Sequence, residues 1–544
     1  MGHTCMDDWQ RFEAICQAMA APSFYPHPVR NLERRDTHIS AVFLTGDWVY
    51  KLKKPVDLNF LDFRSLSARH RFCRLEVILN QRFSRGVYHG VVAICRQESG
   101  AFVLEGPGEV VEYAVKMHQL MDQTCLKERL KQGVVTHADM EALGRFLAAF
   151  HESAARSPDI DHYGQPEVFG CNVEENFRQV EPFKEELLDT RKLELIQSVS
   201  RSFLERWHSL FDRRVAAGRI RDGHGDLRTD HIYFHQGIQV IDCIEFNERF
   251  RFGDVTADLA FLTMDMEHRG RAALGRVFLA EYVAAAKDPE VYLLLDFYAT
   301  YRAMVMVKVL CFRYGQVPET DATLRSTLRR EIRRYLSQAY RYAVQFSRPT
   351  LWVFCGLPAS GKSTLAGELS RVFGMPSFQS DWIRKREFAQ MPRMESLVAS
   401  GEGIYRPEIT TLIYGRLLAL AHEQLKQGHS VILDATYARR KWRLDALQLA
   451  HDVDVDVILV ECYCSEKTLQ DRLGAREHQP GLSDARLRHL PEFLTRFEPL
   501  EEISQDRHVR INTDAPMPDA FAKLLSSAYA KKCAQVLQRL QARG

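Results

Sequence analysis

The segment Gly356-Leu-Pro-Ala-Ser-Gly361-Lys362-Ser363 constrains this chain more than any other stretch of its 544 residues. It fits G-x-x-x-x-G-K-[ST], and its flanks are those the pattern needs: LWVFC before it reads as a strand, STLAGELSRVF after it as a helix. In such a turn the backbone N–H groups converge at a helix N-terminus, where the aligned peptide dipoles favour an anion. Lys362 adds positive charge for the outer phosphates of a nucleotide, and Ser363 a hydroxyl for a magnesium ion. Gly356, Ser360, Gly361, Lys362, Ser363 and Thr364 are the expected nucleotide-binding set, with ATP and Mg2+ as cofactors.

Such a loop belongs at the end of a parallel strand. From 350 to 544 the runs LWVFC, SVILDA, VDVILVECY and RHVRINT alternate with helical spans, which predicts an α/β domain with a parallel sheet. Ser347-Arg348-Pro349 breaks the basic helix ahead of it, so the expected division is 1–347 and 348–544. Within the first part, strand signals and one helix fill about 1–118, and long helical patterns fill 119–347, which predicts a two-lobed α+β unit. The 73 basic and 71 acidic side chains leave a net charge of +2, so any polyanion site must be local rather than a property of the whole surface. Twelve scattered cysteines without a CxxC pair predict reduced thiols and a cytoplasmic location; Cys462 and Cys464 lack partners to complete a tetrahedral metal site. No apolar run approaches the length of a membrane span, so no membrane partner is expected.

A phosphate-binding loop does not say what accepts the phosphate. Phe378-Gln379-Ser380-Asp381-Trp382-Ile383-Arg384-Lys385 places an acid and a base three apart at a strand exit, where Asp381 can take a hydroxyl proton and Arg384 can bind an anionic group. SVILDAT ends in Asp434, positioned to bind Mg2+ or to orient Arg384. Arg472 and Arg476 lie at i, i+4 on one helical face, and Tyr405 and Arg406 are exposed candidates for the acceptor pocket. In this order GLPASGKST, SDWIRK, VILDAT and RLGAR resemble the P-loop kinases of the zeta-toxin and polynucleotide-kinase type over about 350–510. The resemblance implies Asp381 as general base, Arg384 as acceptor ligand, Asp434 as its buttress, and Arg472 or Arg476 as the lid arginine.

The first part carries GHGDLRTDHIYFHQGIQVIDCIEF over 223–246. A short loop, a hairpin and a second strand end would bring Asp226 and Asp242 toward one cleft, which suits a base plus a metal ligand. Upstream, WVYKLKK supplies Lys51 and the helix around RLEVILN supplies Glu76, an ion pair suited to holding phosphates. HGDL, IDxIEF and GDVTADLAFL resemble the aminoglycoside-phosphotransferase-like branch of the protein-kinase fold over about 30–345. This implies Asp226 as catalytic base, Asp242 as Mg2+ ligand, Lys51 as phosphate lysine, Glu76 as its partner, and His224 as a structural residue; Asp254 and Asp258 read as loop braces. Two departures stand out. His231 occupies the place of a metal-binding Asn, with Asp230 or Glu245 as substitutes, and Lys53 alternates onto the same strand face as Lys51, where it reads as a solvated edge charge. Arg213, Arg214, Arg219, Arg221 and Arg228 crowd this motif, pointing either to an anionic substrate or to a solvated helix end.

The whole chain is expected to be a kinase-like α+β domain followed by an α/β P-loop domain, a two-module ATP-dependent phosphotransferase acting on a small-molecule or nucleotide hydroxyl. The rival expectations are an ATP-hydrolysing regulatory protein with a degenerate kinase-like sensor, and a nucleic-acid end-processing kinase. The basic helix from Arg325 to Arg341 favours the latter, and the near-zero net charge opposes it.

Overall fold

The computed structural model describes residues 4–58, 61–387, 406–476 and 485–542. Its N-terminal sheet has six antiparallel strands in the order β1-β2-β3-β6-β4-β5. The strands are β1 Glu33–Asp36, β2 Ser40–Leu44, β3 Trp48–Lys53, β4 Tyr88–Arg96, β5 Phe102–Leu104 and β6 Glu109–His118. Alternation along β3 sends Tyr50 and Leu52 into one apolar cluster with Phe12, Ile15 and Phe43. Val49 goes to the opposite face, against Cys73 and Val77 of the helix Leu66–Asn80. Lys51 and Lys53 share the parity of Val49 and so meet that helix. Ser65 starts the helix by accepting from the Ala68 N–H at 3.1 Å, which fixes the turn on which Glu76 faces inward.

Helices dominate after β6, interrupted by β7 Ile220–Asp222, the hairpin of β8 Ile232–Phe234 and β9 Ile238–Val240, and β10 Phe252–Asp254, which pairs with β7. The helix His137–Ser153 opens on a capping box, Thr136 with Asp139.

The C-terminal sheet is wholly parallel in the order β12-β13-β11-β14-β15. Its strands are β11 Thr350–Cys355, β12 Ser377–Gln379, β13 Val431–Asp434, β14 Asp456–Tyr463 and β15 His508–Asn512. Every residue of β11 is buried, as a central strand covered on both faces requires. Leu351 and Val353 pack with Ile413, Leu417 and Leu459 on one side. Trp352 and Phe354 pack with Leu365, Leu369 and Leu524 on the other. Sequence order reverses on either side of β11, so its carboxyl end is a topological switch point, where open α/β sheets bind ligands.

The chain forms two compact units that interleave in sequence. One comprises Met1–Leu187, Trp207–Lys287 and Tyr301–Tyr335; the other comprises Leu188–Arg206, Asp288–Thr300 and Leu336–Gly544. The division therefore differs from one at 347/348. Ser347-Arg348-Pro349 does end the helix Ala322–Ser347, yet the last part of that helix is held inside the second unit. There Phe203 stacks on Phe297 at 4.7 Å and meets Phe346 edge-on at 5.1 Å. Gln345 Nε2 and the Tyr529 hydroxyl both donate to the Asp296 carboxylate, at 2.7 and 3.0 Å.

Candidate active sites

In the first unit two carboxylates approach each other through one imidazole. Asp226 lies in the loop after β7, and Asp242 just beyond β9. His231 Nδ1 is 2.8 Å from the Asp226 carbonyl oxygen, and its Nε2 is 3.6 Å from Asp242 Oδ2. A carbonyl can only accept, so Nδ1 carries a proton, and the other ring nitrogen faces Asp242. Asp242 sits at φ +66°, a left-handed conformation that a non-glycine residue adopts only when its surroundings hold it there. Lys51 is part of that hold: its Nζ bonds the Asp242 carboxylate and pairs with Glu76 Oε1 at 2.8 Å.

Lys53 is not a solvated charge. It is fully buried, 2.7 Å from Glu76 Oε2, and bonded to Glu245. The strand face that carries both lysines points into the protein, and Glu76 shares its two oxygens between them. Burial alone would raise the Glu76 carboxyl, but the two ammonium groups outweigh it and hold it below its ordinary value. Glu245 goes the other way, since burial and the nearby Glu76 exceed the pull of Lys53.

The loop bearing Asp226 is braced from behind. The Asp258 carboxylate accepts from the backbone N–H of His224 at 2.7 Å and of Gly225 at 2.9 Å. His224 reaches the Ile241 carbonyl at 2.9 Å, joining the two carboxylate-bearing segments, while Asp254 accepts the Arg214 guanidinium. Gly225 has φ +84°, and a Cβ there would lie 2.7 Å from the Phe250 carbonyl, so no other residue fits without displacement.

Arg228 is a site residue that the motif spacing left unassigned. Its guanidinium forks onto Asp226, Nε to Oδ1 at 2.9 Å and Nη2 to Oδ2 at 3.1 Å. Burial opposes ionisation of Asp226, but Arg228 and His231 overcome it and bring the carboxyl down to about 2. The signal in the sequence was an arginine two positions after the Asp, in a loop too short to carry it elsewhere. Three of the other clustered arginines serve the scaffold: Arg214 pairs with Asp254, Arg219 bonds the Ala286 carbonyl, and Arg221 those of Gly218 and Ala154.

In the second unit β11 runs into the glycine-rich loop, with Gly356 at φ +140°, Ala359 at +67° and Gly361 at +83°, and Lys362 opens the helix Lys362–Phe373. A Cβ on Gly356 would come 2.3 Å from the Cys462 carbonyl, so the first glycine lets the loop lie against β14. Ser363 and Thr364 are exposed at the helix start. Ser360 Oγ and Asp434 Oδ1 are buried without a hydrogen-bond partner among the described residues. Burial raises the Asp434 carboxyl against the opposing influence of Lys362 and the Ser363 hydroxyl, so Asp434 stands on the Lys362 and Ser363 side of the loop.

Arg472 is committed to the loop itself. It donates to the Ala359 carbonyl at 3.2 Å and the Thr513 carbonyl at 2.7 Å, and the Thr513 hydroxyl donates to the Ser360 carbonyl at 2.8 Å. This latch, absent from the sequence reading, depends on β15 lying beside β14. Arg476, at the end of the helix Glu466–Ala475, is lowered by burial despite the attraction of Asp381, with Arg486 and Arg472 nearby. Arg384 is buried, and Trp382 beside it is 43% exposed with the Arg386 guanidinium 4.8 Å over its ring. Arg406 stands at the N-cap position of the helix Pro407–Lys426 without a side-chain capping bond among the described residues; Tyr405 lies outside the described residues.

Among the described residues no three His, Cys, Asp or Glu side chains converge on a metal position. Mg2+ asks for less, one or two carboxylates completed by phosphate oxygens and water, and Asp434 with Ser363, or Asp242, fits that demand. Among the described residues no helix is long and apolar enough to cross a membrane.

A model of the phosphotransferase enzyme family matches residues 117–295, and an AAA domain model matches residues 351–500. The uncharacterized protein Rv2004c of Mycobacterium tuberculosis is 32% identical over 470 residues, covering 84% of this chain and 89% of that protein. Among solved structures, a gluconokinase from Sinorhizobium meliloti 1021 aligns with 36% of this chain and 98% of its own, at 20% identity and a TM-score of 0.26. The GDP complex of aminoglycoside 2'-phosphotransferase-IIIa aligns with 60% and 98%, at 14% identity and a TM-score of 0.35. The chain belongs to the family of Rv2004c, and it joins a phosphotransferase-family domain of kinase-like α+β fold to a P-loop kinase domain of α/β fold.

Proposed function

We propose that both sites transfer the γ-phosphoryl group of ATP to a hydroxyl acceptor, with 1–347 and 348–544 as the functional modules. The observation that carries this reading is Lys51, bonded at once to Glu76 and to Asp242, one imidazole away from Asp226. That connection joins the three groups that position phosphates, metal and acceptor in kinase chemistry. In the first module Asp226 orients the acceptor and takes its proton, Lys51 holds phosphate oxygens, Glu76 fixes Lys51, and Asp242 with His231 would hold the metal. In the second, the loop 356–364 cradles the phosphates, with Lys362 contributing charge. Ser363 and Asp434 would hold the metal, Asp381 takes the acceptor proton, Arg384 binds the acceptor and Arg476 closes on the transferring group. When bound, Mg2+ would supply positive charge to offset that of the phosphates. Because Arg472 is bonded to Ala359 and Thr513, it acts on the nucleotide by fixing the loop.

The nucleic-acid reading loses some support, because three of the six arginines in the basic helix are engaged by carboxylates: Arg325 and Arg329 pair with Glu186, and Arg334 with Glu331. The hydrolytic-sensor reading draws support from the Arg228 fork, which ties up both oxygens of Asp226. The experiment is transfer of label from [γ-32P]ATP into a cell extract divided into nucleic-acid, protein and small-molecule pools, with wild type, Asp226→Asn and Asp381→Asn. Label confined to the small-molecule pool and lost with one variant names the module responsible. Release of free phosphate alone, equal in all three proteins, selects the sensor and overturns transfer.

A further inference from the structure

The carboxylates of the first site are not equally open to a metal ion. Asp226 has both oxygens in the Arg228 fork, and Glu245 is 5% exposed and bonded to Lys53. Asp230, beside His231 in the chain, gives Oδ1 to Lys127 at 2.8 Å and Oδ2 to Arg269 at 3.2 Å. The two oxygen donors that could stand in for His231 are thus committed to cations. Asp242 differs: Lys51 holds its Oδ1, while its Oδ2, on a side chain 44% exposed, faces His231 Nε2 at 3.6 Å.

The ring of His231 is oriented as a ligating imidazole is. Its Nδ1 donates to the Asp226 carbonyl at 2.8 Å, and its own carbonyl accepts the Ile241 N–H at 2.9 Å, so the residue is fixed between the segments that carry Asp226 and Asp242. A metal-binding histidine commonly gives its other ring N–H to a carbonyl or carboxylate, which sets the tautomer and aims the remaining nitrogen. His224, with its ring 6.1 Å away, is committed on both nitrogens, Nε2 to the Ile241 carbonyl and Nδ1 to the Asp226 N–H. At 3.6 Å His231 Nε2 and Asp242 Oδ2 are too far apart to hydrogen-bond. Two donors about 2.1 Å from one ion lie about 3.0–3.4 Å apart, so a small side-chain adjustment brings both onto it.

Nitrogen distinguishes this pair from the second site. Asp434 and Ser363 offer oxygen, the donor that Mg2+ demands, whereas an imidazole favours first-row transition ions over Mg2+. Among those ions Mn2+ shares the octahedral, oxygen-rich coordination of Mg2+ and therefore also suits phosphate oxygens.

We propose that the first site selects Mn2+ over Mg2+, with His231 Nε2 and Asp242 Oδ2 as its protein ligands. The inference rests on the phosphotransferase reading of that site, in which a divalent ion accompanies the nucleotide, and it adds which ion and which nitrogen. Selectivity then resides in one side chain: His231→Asn offers an amide oxygen in place of the imidazole, keeps an N–H for the Asp226 carbonyl, and should turn the site toward Mg2+.

The test uses the full chain grown with 15N-histidine, loaded with Mn2+ and the non-hydrolysable ATP analogue AMP-PNP, and reads pulsed EPR rather than activity. A 15N hyperfine coupling on bound Mn2+ is expected in wild type and in Lys362→Ala, and should disappear in His231→Asn. Oxygen ligands at the second site give no such coupling, so Mn2+ held there does not interfere. Displacement of bound Mn2+ by Mg2+, followed through the signal of free Mn2+, should show a preference for Mn2+ about tenfold greater in wild type than in His231→Asn. Mn2+ that binds in wild type and is lost in Asp242→Asn, yet shows no 15N coupling, overturns the nitrogen ligand and leaves the metal site of the phosphotransferase reading standing. Coupling that survives His231→Asn arises at another histidine and overturns it as well. No Asp242-dependent binding of either ion in the presence of AMP-PNP removes that reading, and this inference with it. The wild-type spectrum decides whether nitrogen binds the ion even if the variants fold poorly.

Discussion

On the proposed function the two sites would meet phosphate by opposite means. In the second unit the candidate cradle is backbone: one glycine-rich loop at the end of a central parallel strand, latched by Arg472 and Thr513, with polar atoms on Ser360 and Asp434 unpaired among the described residues. In the first unit the site is made of side chains that already satisfy one another, Lys51 and Lys53 against Glu76, Asp242 and Glu245, and Arg228 against Asp226. A cradle of N–H groups meets phosphate as it stands, whereas a closed charge network must exchange internal partners for external ones. The comparison teaches that the same ligand chemistry rests on contiguous sequence in one case and on tertiary assembly in the other.

The largest expected effect is at the loop. Lys362→Ala, in an Asp226→Asn background that silences the first site, should lower ATP turnover by about 10²–10³-fold with little change in melting temperature. ADP release from the full chain measures it; turnover within threefold of the parent would sink the loop assignment. Next comes the network. Lys53→Met leaves Glu76 and Glu245 buried with one cation fewer and should destabilise by about 3–5 kcal/mol. Lys51→Met should destabilise less, because Asp242 has water access, its side chain being 44% exposed, while abolishing transfer by the first site. Urea unfolding beside initial rates separates the two; equal loss of stability would contradict the division of labour between the lysines.

How far each site could be read in the sequence follows from the same difference. Gly356 to Thr364 are adjacent in the chain, so motif, preceding strand and following helix were visible together, and the structure adds only the latch, which needs β15 beside β14. Lys51 and Glu76 were also legible, through the strand face and the helix. Lys53 was misjudged as solvated because alternation places it on the same face as Lys51 without saying how deep that face is buried. Arg228 was visible as charge but not as a clamp, since a fork onto Asp226 depends on loop conformation. The interleaving of the two units was illegible, because it rests on contacts such as Phe203 with Phe297 and Phe346, far apart in sequence and ordinary in composition.

A smaller effect tests whether the loop site gives up stability for ligand. Burial raises the Asp434 carboxyl, so its ionised form is unfavourable in the folded chain, and Asp434→Asn should stabilise the unliganded protein by about 1 kcal/mol while removing nucleotide turnover. A lower melting temperature in this variant would show that Asp434 is a structural anchor instead.

The finest distinction is in pH dependence, where the two carboxylates should act with opposite sign. Asp226 is held at about 2, below its ordinary 3.8, so as pH falls the unfolded chain takes up the proton first. The stabilisation it provides is complete above pH 4 and drains away as pH drops toward 2. Asp434 is raised, so the folded chain takes up the proton first and acidification relieves its cost. Melting temperature plotted against pH should therefore fall less steeply below pH 4 in Asp226→Asn than in wild type, and more steeply in Asp434→Asn as pH decreases from neutrality. Parallel curves in the first variant would mean that the Arg228 fork does not hold Asp226 ionised in solution. The first site would then open to an acceptor with less electrostatic work than its closed network implies.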